Sequence, residues 1–273
     1  MTHLRASRYV GQAPDPLLLS TAIEAVLEAG RIQLSYFRTG IRVDKKGTID
    51  IVTEADVAVE TMFRGLITER FPAHAVVAEE MGQGGAEGAT HEWVFDPIDG
   101  TTNFVHGIPF FCASLALEVG GEAVVAAIYE PTRRELYTAE RGVGAWLNGE
   151  PLHVSETGAL IDAVVCTGFP YSIVEERAEP VALFGRFLGV SRAVRRFGSA
   201  ALDLAYVAAG RLDGFYETTL NRWDIAAGAL IVQEAGGRVT AYGGGRFDSR
   251  SGEILASNGR LHAAMQTVIE NRQ

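Results

Sequence analysis

The sequence is poor in cysteine: Cys112 and Cys166 are the only two in 273 residues. Neither belongs to a CxxC pair, which excludes zinc-finger spacing and a disulfide-stapled scaffold. Two isolated thiols fit buried, reduced cysteines of a cytoplasmic protein. Long hydrophobic runs are missing too. The run from Ile225 to Val232 reaches eight residues, one of them glycine, whereas a membrane span needs about 20. The N-terminus, MTHLRASRYVGQAPDP, lacks the apolar core of roughly 7–15 residues that a secretory signal carries. Positive charge is scarce. Lys and Arg number 24 against 34 Asp and Glu, for a formal net charge of −10. A general binder of nucleic acid or anionic membrane shows a basic face, so neither partner is expected. Small anionic substrates stay open, because a bound cation reverses the charge of an acidic site.

Apolar material is ample, at 47% of residues, enough for a substantial core. Residues 1–13 read as a loose arm. Asp15-Pro16 reads as an N-cap with proline at the first helical position. A helix to about Phe37 fits the spacing of Leu19, Ile23, Val26 and Leu27. The segment 39–50, with two lysines beside a glycine, reads as an exposed hairpin or mobile loop. A second helix fits 54–70, with Met62, Phe63, Leu66 and Ile67 on one face. Strand-like runs follow at 75–80, 92–95, 110–119, 122–130 and 135–140, and the glycine-rich stretch after Glu80 reads as flexible. Asn148-Gly149 marks a tight turn. The second half alternates: strand 163–168, helix 174–189, helix 200–210, strand 213–217, helix 223–237, strands over RVTAY and EILAS, and a last helix 259–271. There is no internal repeat or low-complexity linker. The class is mixed α and β, helices layered on sheets. It is read as one domain over 1–273, with closely packed halves 14–150 and 151–273.

The chemistry concentrates in WVFDPIDGTTNF, residues 93–104. Strand side chains alternate faces, so Asp96 and Asp99 in one continued strand would point apart. They can converge only if the strand ends and the chain turns, and Pro97 forces that. Gly100 then allows a conformation or a close approach that a side chain would block. Thr101 and Thr102 suit a helix start, whose free N–H groups attract an anion such as phosphate. Two carboxylates at one turn repel unless a cation lies between them, and hard oxygen ligands suit Mg²⁺. A simple Asp-Pro turn before a capped helix is the plain alternative. Other acids stand near strand and helix ends: Asp50 and Asp56 bracket DIVTEAD, Glu79 and Glu80 end an apolar strand, and Asp224 opens an apolar helix. Singly, Asp224 is explained by the helix dipole and Asp56 by a capping box with Thr53. Together they favour one polynuclear metal site.

Four segments, DIVTEAD (50–56), AEE (78–80), WVFDPIDGTTNF (93–104) and WDIAAGALIVQEAGG (223–237), resemble the inositol monophosphatase family. With GSAALDLAYVAAG (198–210), the resemblance covers nearly all of the chain beyond residue 14, and it extends to the bacterial branch. It implies an α+β fold, a layered α/β/α/β/α sandwich of the inositol monophosphatase and fructose-1,6-bisphosphatase type. It implies Mg²⁺-dependent, lithium-sensitive hydrolysis of inositol 1-phosphate, a phosphorylated polyol, with two to three Mg²⁺ ions and a homodimer. By resemblance, Glu79, Asp96 and the Ile98 carbonyl hold the first metal, and Asp96, Asp99 and Asp224 the second. Glu79 also serves a third, weaker ion. Asp56 orients metal-bound water, and Thr101 with Glu79 positions the attacking water. The N–H groups of Gly100 and Thr101 cradle phosphate. Lys45 falls in the loop that closes over the site. Ser199, Ala200 and Glu217 meet the ring hydroxyls, and Asn221 stands where animal enzymes carry histidine. Rival activities are fructose-1,6-bisphosphatase, nucleotide 3′-phosphatase, NADP phosphatase and histidinol phosphatase. A rival of another kind is a role in a transcription complex.

Overall fold

A computed structural model describes residues 15–175 and 177–271; the arm expected over residues 1–13 lies outside them. The elements in chain order are α1 (Pro16–Tyr36), β1 (Val43–Lys45), β2 (Ile51–Thr53), α2 (Glu54–Arg70), β3 (Ala75–Ala78), β4 (Gly82–Gly85), β5 (His91–Asp99) and α3 (Thr101–Val105). Next come β6 (Cys112–Val119), β7 (Glu122–Glu130), β8 (Glu135–Glu140), β9 (Gly144–Leu147), β10 (Glu150–Pro151), β11 (Val164–Thr167), α4 (Ala178–Val190) and β12 (Ala193–Arg195). The chain continues through α5 (Ala200–Ala208), β13 (Gly214–Thr218), α6 (Arg222–Glu234), β14 (Arg238–Thr240), β15 (Glu253–Ser257) and α7 (His262–Glu270).

One sheet has eight strands in the order β10-β9-β8-β7-β6-β5-β3-β4, and a second has five in the order β12-β11-β13-β15-β14. Alternation along the strands decides what covers each face. Trp93, Phe95, Leu115 and Leu117 face α1 and α2, where Val26, Phe63 and Ile67 meet them. Val94, Cys112, Ala116 and Ile128 face the other way, onto α5 and α6. The same two helices also cover Cys166, Phe215 and Ala256 of the five-stranded sheet. That sheet's outer face, with Val165, Tyr216 and Leu255, packs on Leu183 and Phe187 of α4 and Met265 of α7. The result is an α/β/α/β/α layering, as the resemblance implied. The eight-stranded sheet ends with β10 and the five-stranded sheet begins with β12 and β11, but α5 and α6 belong to both cores.

Three local expectations change. Of the residues expected inward on α1, Val26 is buried, Leu19 and Ile23 are half-buried and Leu27 is exposed; Leu18, Thr21, Ala22, Ala25, Ala29, Gly30 and Gln33 complete a buried face made largely of small side chains. Small side chains let α1 lie close on β7; a side chain at Gly30 would meet the Tyr129 ring. Gly82–Gly85, expected to be flexible, pairs antiparallel with β3 as an edge strand. Backbone pairing to β3 holds it there despite the entropic cost of glycine. The helix expected over 174–189 starts at Ala178, after a 3₁₀ turn over Tyr171–Val174, with Pro180 in its first turn where no N–H partner is needed.

Candidate active site

The fourth change builds the site. β5 does not stop at Asp96; it continues to Asp99 through an irregularity. Asp96 pairs with Ser114 and Asp99 with Cys112, so three steps on β5 match two on β6. The extra residue is a bulge, and it cancels the odd spacing. Both aspartates therefore point to the same face, that of α5 and α6. The Asp96 Oδ1 accepts the Ile98 N–H at 2.9 Å, and Gln33 of α1 donates to the Pro97 carbonyl at 2.7 Å, so the bulge is fixed from inside and from the helix layer. Gly100 follows at φ +97°, and a Cβ there would lie 3.0 Å from the Phe110 carbonyl oxygen. Both reasons expected for that glycine are present. The first turn of α3 begins directly after it.

Other elements deliver the remaining acids to the same cleft. Glu79 lies in the turn after β3, and Asp224 in the first turn of α6. One cleft is lined by Glu79, Asp96, Ile98, Asp99, Gly100, Thr101, Ser199, Ala200, Glu217 and Asp224, with Asn221 beside them. Asp56 is outside that lining, fully buried at the start of α2, and Lys45 is exposed on β1.

The aspartates share a pattern. Each is anchored to protein through one oxygen. Asp56 Oδ2 takes the Thr53 N–H (2.8 Å) and hydroxyl (2.6 Å), while its Oδ1 is buried without a partner. Asp99 Oδ2 takes the Ser199 hydroxyl (2.7 Å) and the Ala201 N–H (2.6 Å). Asp224 Oδ2 takes the Asn221 N–H at 2.6 Å, and Asp96 uses Oδ1 as described. In every case the second oxygen has no hydrogen bond among the described residues. Burial raises the carboxyl of Asp96 well above its ordinary range, and Glu79, Asp99 and Asp224 add to it. Burial and then Asp99 do the same to Asp224. Asp99 is pushed up to about 6 by burial, against the pull of Ser199, and Asp56 to about 6 by burial. Four crowded, desolvated acids with free oxygens are a donor set suited to a hard divalent cation. Among the described residues, no three His, Cys, Asp or Glu side chains already close into a cage.

A cation of the chain already answers part of that charge. Lys46, on the hairpin between β1 and β2, sets its ammonium 2.9 Å from Glu79 and 2.6 Å from Glu80. Burial alone would depress it, but the two glutamates outweigh burial and hold it charged. The resemblance pointed to Lys45, the last residue of β1, whereas the next residue, Lys46, in the turn after the strand, is the one that meets the glutamates. Ser199, expected at the substrate, turns its hydroxyl to Asp99 and is buried. The Thr101 hydroxyl donates to the Ile98 carbonyl at 2.9 Å. Glu217 lines the cleft, and burial, with Asp203 adding to it, pushes its carboxyl up to about 8. Glu60 was missed altogether. It is fully buried and accepts the N–H groups of Glu80 (2.8 Å) and Met81 (3.0 Å), which sets the turn carrying Glu79. Its only signal was an acid on an otherwise buried helix face.

The five-layer fold and its acidic cleft belong to a known class. A profile of the inositol monophosphatase family matches residues 17–273, and the chain belongs to that family. Its similarities divide between two names. The chain is 40% identical to Nus factor SuhB of Escherichia coli K12 over 250 residues, covering 91% of this chain and 94% of that protein. It is 42% identical to an inositol-1-monophosphatase of Rhizobium meliloti over 256 residues, covering 93% and 96%. The crystal structure of extragenic suppressor protein suhB from Bartonella henselae superposes with a TM-score of 0.90 at 38% identity, covering 94% of this chain and all of that one. The family supports a phosphatase and is generally metal-dependent. Among the described residues, no helix is long and apolar enough to cross a membrane.

Proposed function

We propose that the chain is a Mg²⁺-dependent phosphomonoesterase that hydrolyses inositol 1-phosphate to inositol and phosphate. The observation that carries this reading is the β5 bulge, which turns Asp96 and Asp99 to one face opposite Asp224. Glu79, Asp96, Asp99, Asp224 and the Ile98 carbonyl are the groups that would hold the metal ions. Bound Mg²⁺ supplies Lewis-acid stabilisation of phosphoryl and leaving-group oxygens and acidifies water. The chain's own residues do the rest. Ser199 and the Ala201 N–H fix the orientation of Asp99. The N–H groups of Gly100 and Thr101 receive phosphate oxygens at the start of α3. Thr101 is oriented by the Ile98 carbonyl, and the free oxygen of Asp56 stands ready to hold a proton or a water. Glu217 meets the polyol hydroxyls. A panel of phosphomonoesters with Mg²⁺, read by released phosphate, tests the reading; no release from any ester overturns it. Lithium inhibition and a homodimer are parts of the same proposal, and light scattering tests the second. The apolar strands β6 and β7 are used within the chain's own two cores, so they supply no argument for the dimer.

A second reading has its own support in the similarity to Nus factor SuhB over most of the chain. It is that the protein also takes part in a transcription complex. Retention by the transcription machinery in a pull-down, unchanged by loss of Asp96, would separate this role from hydrolysis.

A further inference from the structure

Next to the acidic cleft lies a second cavity of about 510 Å³, at the edge where β11 and β13 end and α4 begins. The two share Gly168, Pro170, Glu217 and Thr219, so they meet around Glu217. Gly168 makes that junction possible, because a Cβ there would overlap the Glu217 carboxyl. The second cavity differs in chemistry from the first. Its walls include Tyr242, Pro180, Leu183 and Ile269, and among the described residues its ionisable acids are Glu253, Glu179, which pairs with Arg186 at 3.1 Å, and the buried Glu217. Among the described residues no Lys or Arg lines it to receive a second phosphate. It does have an unused polar group. Tyr216 lines it, is 2% exposed, and its hydroxyl makes no hydrogen bond among the described residues. The neighbouring Thr167 hydroxyl donates instead to the carbonyls of Tyr216 (2.7 Å) and Gly168 (3.1 Å). A buried hydroxyl left without a partner is costly, and a ligand acceptor would remove that cost.

We propose that this cavity is a subsite for the alcohol portion of the substrate. It takes an aromatic or apolar extension without negative charge, carrying an acceptor for Tyr216. The inference rests on the phosphomonoesterase reading above and narrows its substrate class. The chain hydrolyses monophosphates of extended neutral alcohols better than those of short alcohols, and it discriminates against a second anionic group. The volume suffices for a substituted ring, and the lack of a lining Lys or Arg among the described residues, with Glu253 on the wall, sets the charge rule.

The test uses full-length protein with Mg²⁺ and a series of methoxyphenyl-alkyl phosphates of graded linker length. Ethyl phosphate, inositol 1-phosphate and the matching carboxyphenyl esters serve as comparisons. At one linker length kcat/KM should exceed that of ethyl phosphate by about tenfold or more, and the carboxyphenyl ester should lose that gain. Gly243→Trp should abolish the gain while sparing inositol 1-phosphate turnover, because Gly243 lines the cavity and a side chain there meets open space. If Gly243→Trp impairs folding, Ala178→Trp fills the same cavity from α4. Tyr216→Phe should lower kcat/KM for the methoxyphenyl ester by about threefold or more without lowering thermal stability. A flat series, equal turnover of the carboxyphenyl ester, or a gain that survives both filling variants overturns the subsite. Inositol 1-phosphate hydrolysis with a flat series removes this inference alone. No hydrolysis of any ester removes the functional reading and this inference with it.

Discussion

Two helices begin in nearly the same way and end in different roles. α2 follows Thr53, with Asp56 three residues on; α6 follows Asn221, with Asp224 three residues on. In each, the aspartate reaches back to the backbone N–H of the residue that opens the helix, at 2.8 Å for Thr53 and 2.6 Å for Asn221. At α2 the exchange is reciprocal, since the Thr53 hydroxyl accepts from Ala55 and contacts Asp56. Asp56 stays behind the cleft, while Asp224 lines it. The same local device thus supplies one acid set back behind the site and one inside it. A capping box fixes one carboxylate oxygen; where the other oxygen points depends on what the helix packs against.

The largest effect should come from the acid that neither cap supplies. Asp96→Asn removes the charge crowded by Glu79, Asp99 and Asp224 and should lower kcat for inositol 1-phosphate by roughly 10²–10³ or more. Released phosphate from a protein with unchanged circular dichroism measures it, and near-normal turnover would remove Asp96 from the site.

Substitution at the two helix starts tests the comparison directly. Asp224→Asn should depress activity by about 10²-fold and raise the Mg²⁺ needed, with little change in urea midpoint. Asp56→Ala should cost about 1 kcal/mol of stability through the lost cap. Asp56→Asn keeps an oxygen for Thr53, so a fall in its turnover without a fall in stability would show that the partnerless Oδ1 matters to the reaction. Equal stability losses in Asp224→Asn and Asp56→Ala would dissolve the distinction.

Removing metal brings out the strain that the acids share. Folded carboxyls raised above their unfolded values hold protons that the unfolded chain releases, so their stabilisation is present at low pH and is lost as pH rises. With Asp99 and Asp56 at about 6 and Glu80 at about 7, the window runs from about pH 4 to 7. In chelator, unfolding free energy should fall across it by more than about 1.4 kcal/mol, the equivalent of one pKa unit. Mg²⁺ should flatten the fall. A pH-independent urea midpoint in chelator would contradict the crowding.

Smaller effects belong to the edges of the cleft. Glu217→Gln should lower kcat/KM for inositol 1-phosphate by about tenfold at most and leave ethyl phosphate nearly unchanged. An equal loss on both would place Glu217 in the catalytic centre. Lys46→Met removes the ammonium that competes for Glu79, and the Mg²⁺ giving half-maximal rate should fall about two- to threefold, a shift of the size expected for a partly exposed ion pair. An increase would mean that Lys46 assists rather than competes.

The sequence by itself determined a great deal. Helix starts at Pro16 and Glu54 were legible because caps and proline act over a few residues, and α6 was expected one residue late, at Trp223. That Glu79, Asp96, Asp99 and Asp224 share one cleft was foreshadowed by their places at the ends of apolar runs, whereas Asp56 lies outside its lining. What it could not determine was set by contacts between distant segments. The β5 bulge depends on counting residues on β6 as well as β5, and Gln33, 64 positions from Pro97, helps to fix it. Lys46 rather than Lys45 meets the glutamates because the turn after β1, closed by the Lys46 N–H on the Asp50 carbonyl, comes to lie beside the end of β3. Ser199 serves Asp99, and the Tyr216 hydroxyl is left unsatisfied, only once the five-stranded sheet lies against α5 on one face and α4 on the other. Local chemistry follows from neighbours in the chain; the direction of each side chain follows from register and layering, which no single segment encodes.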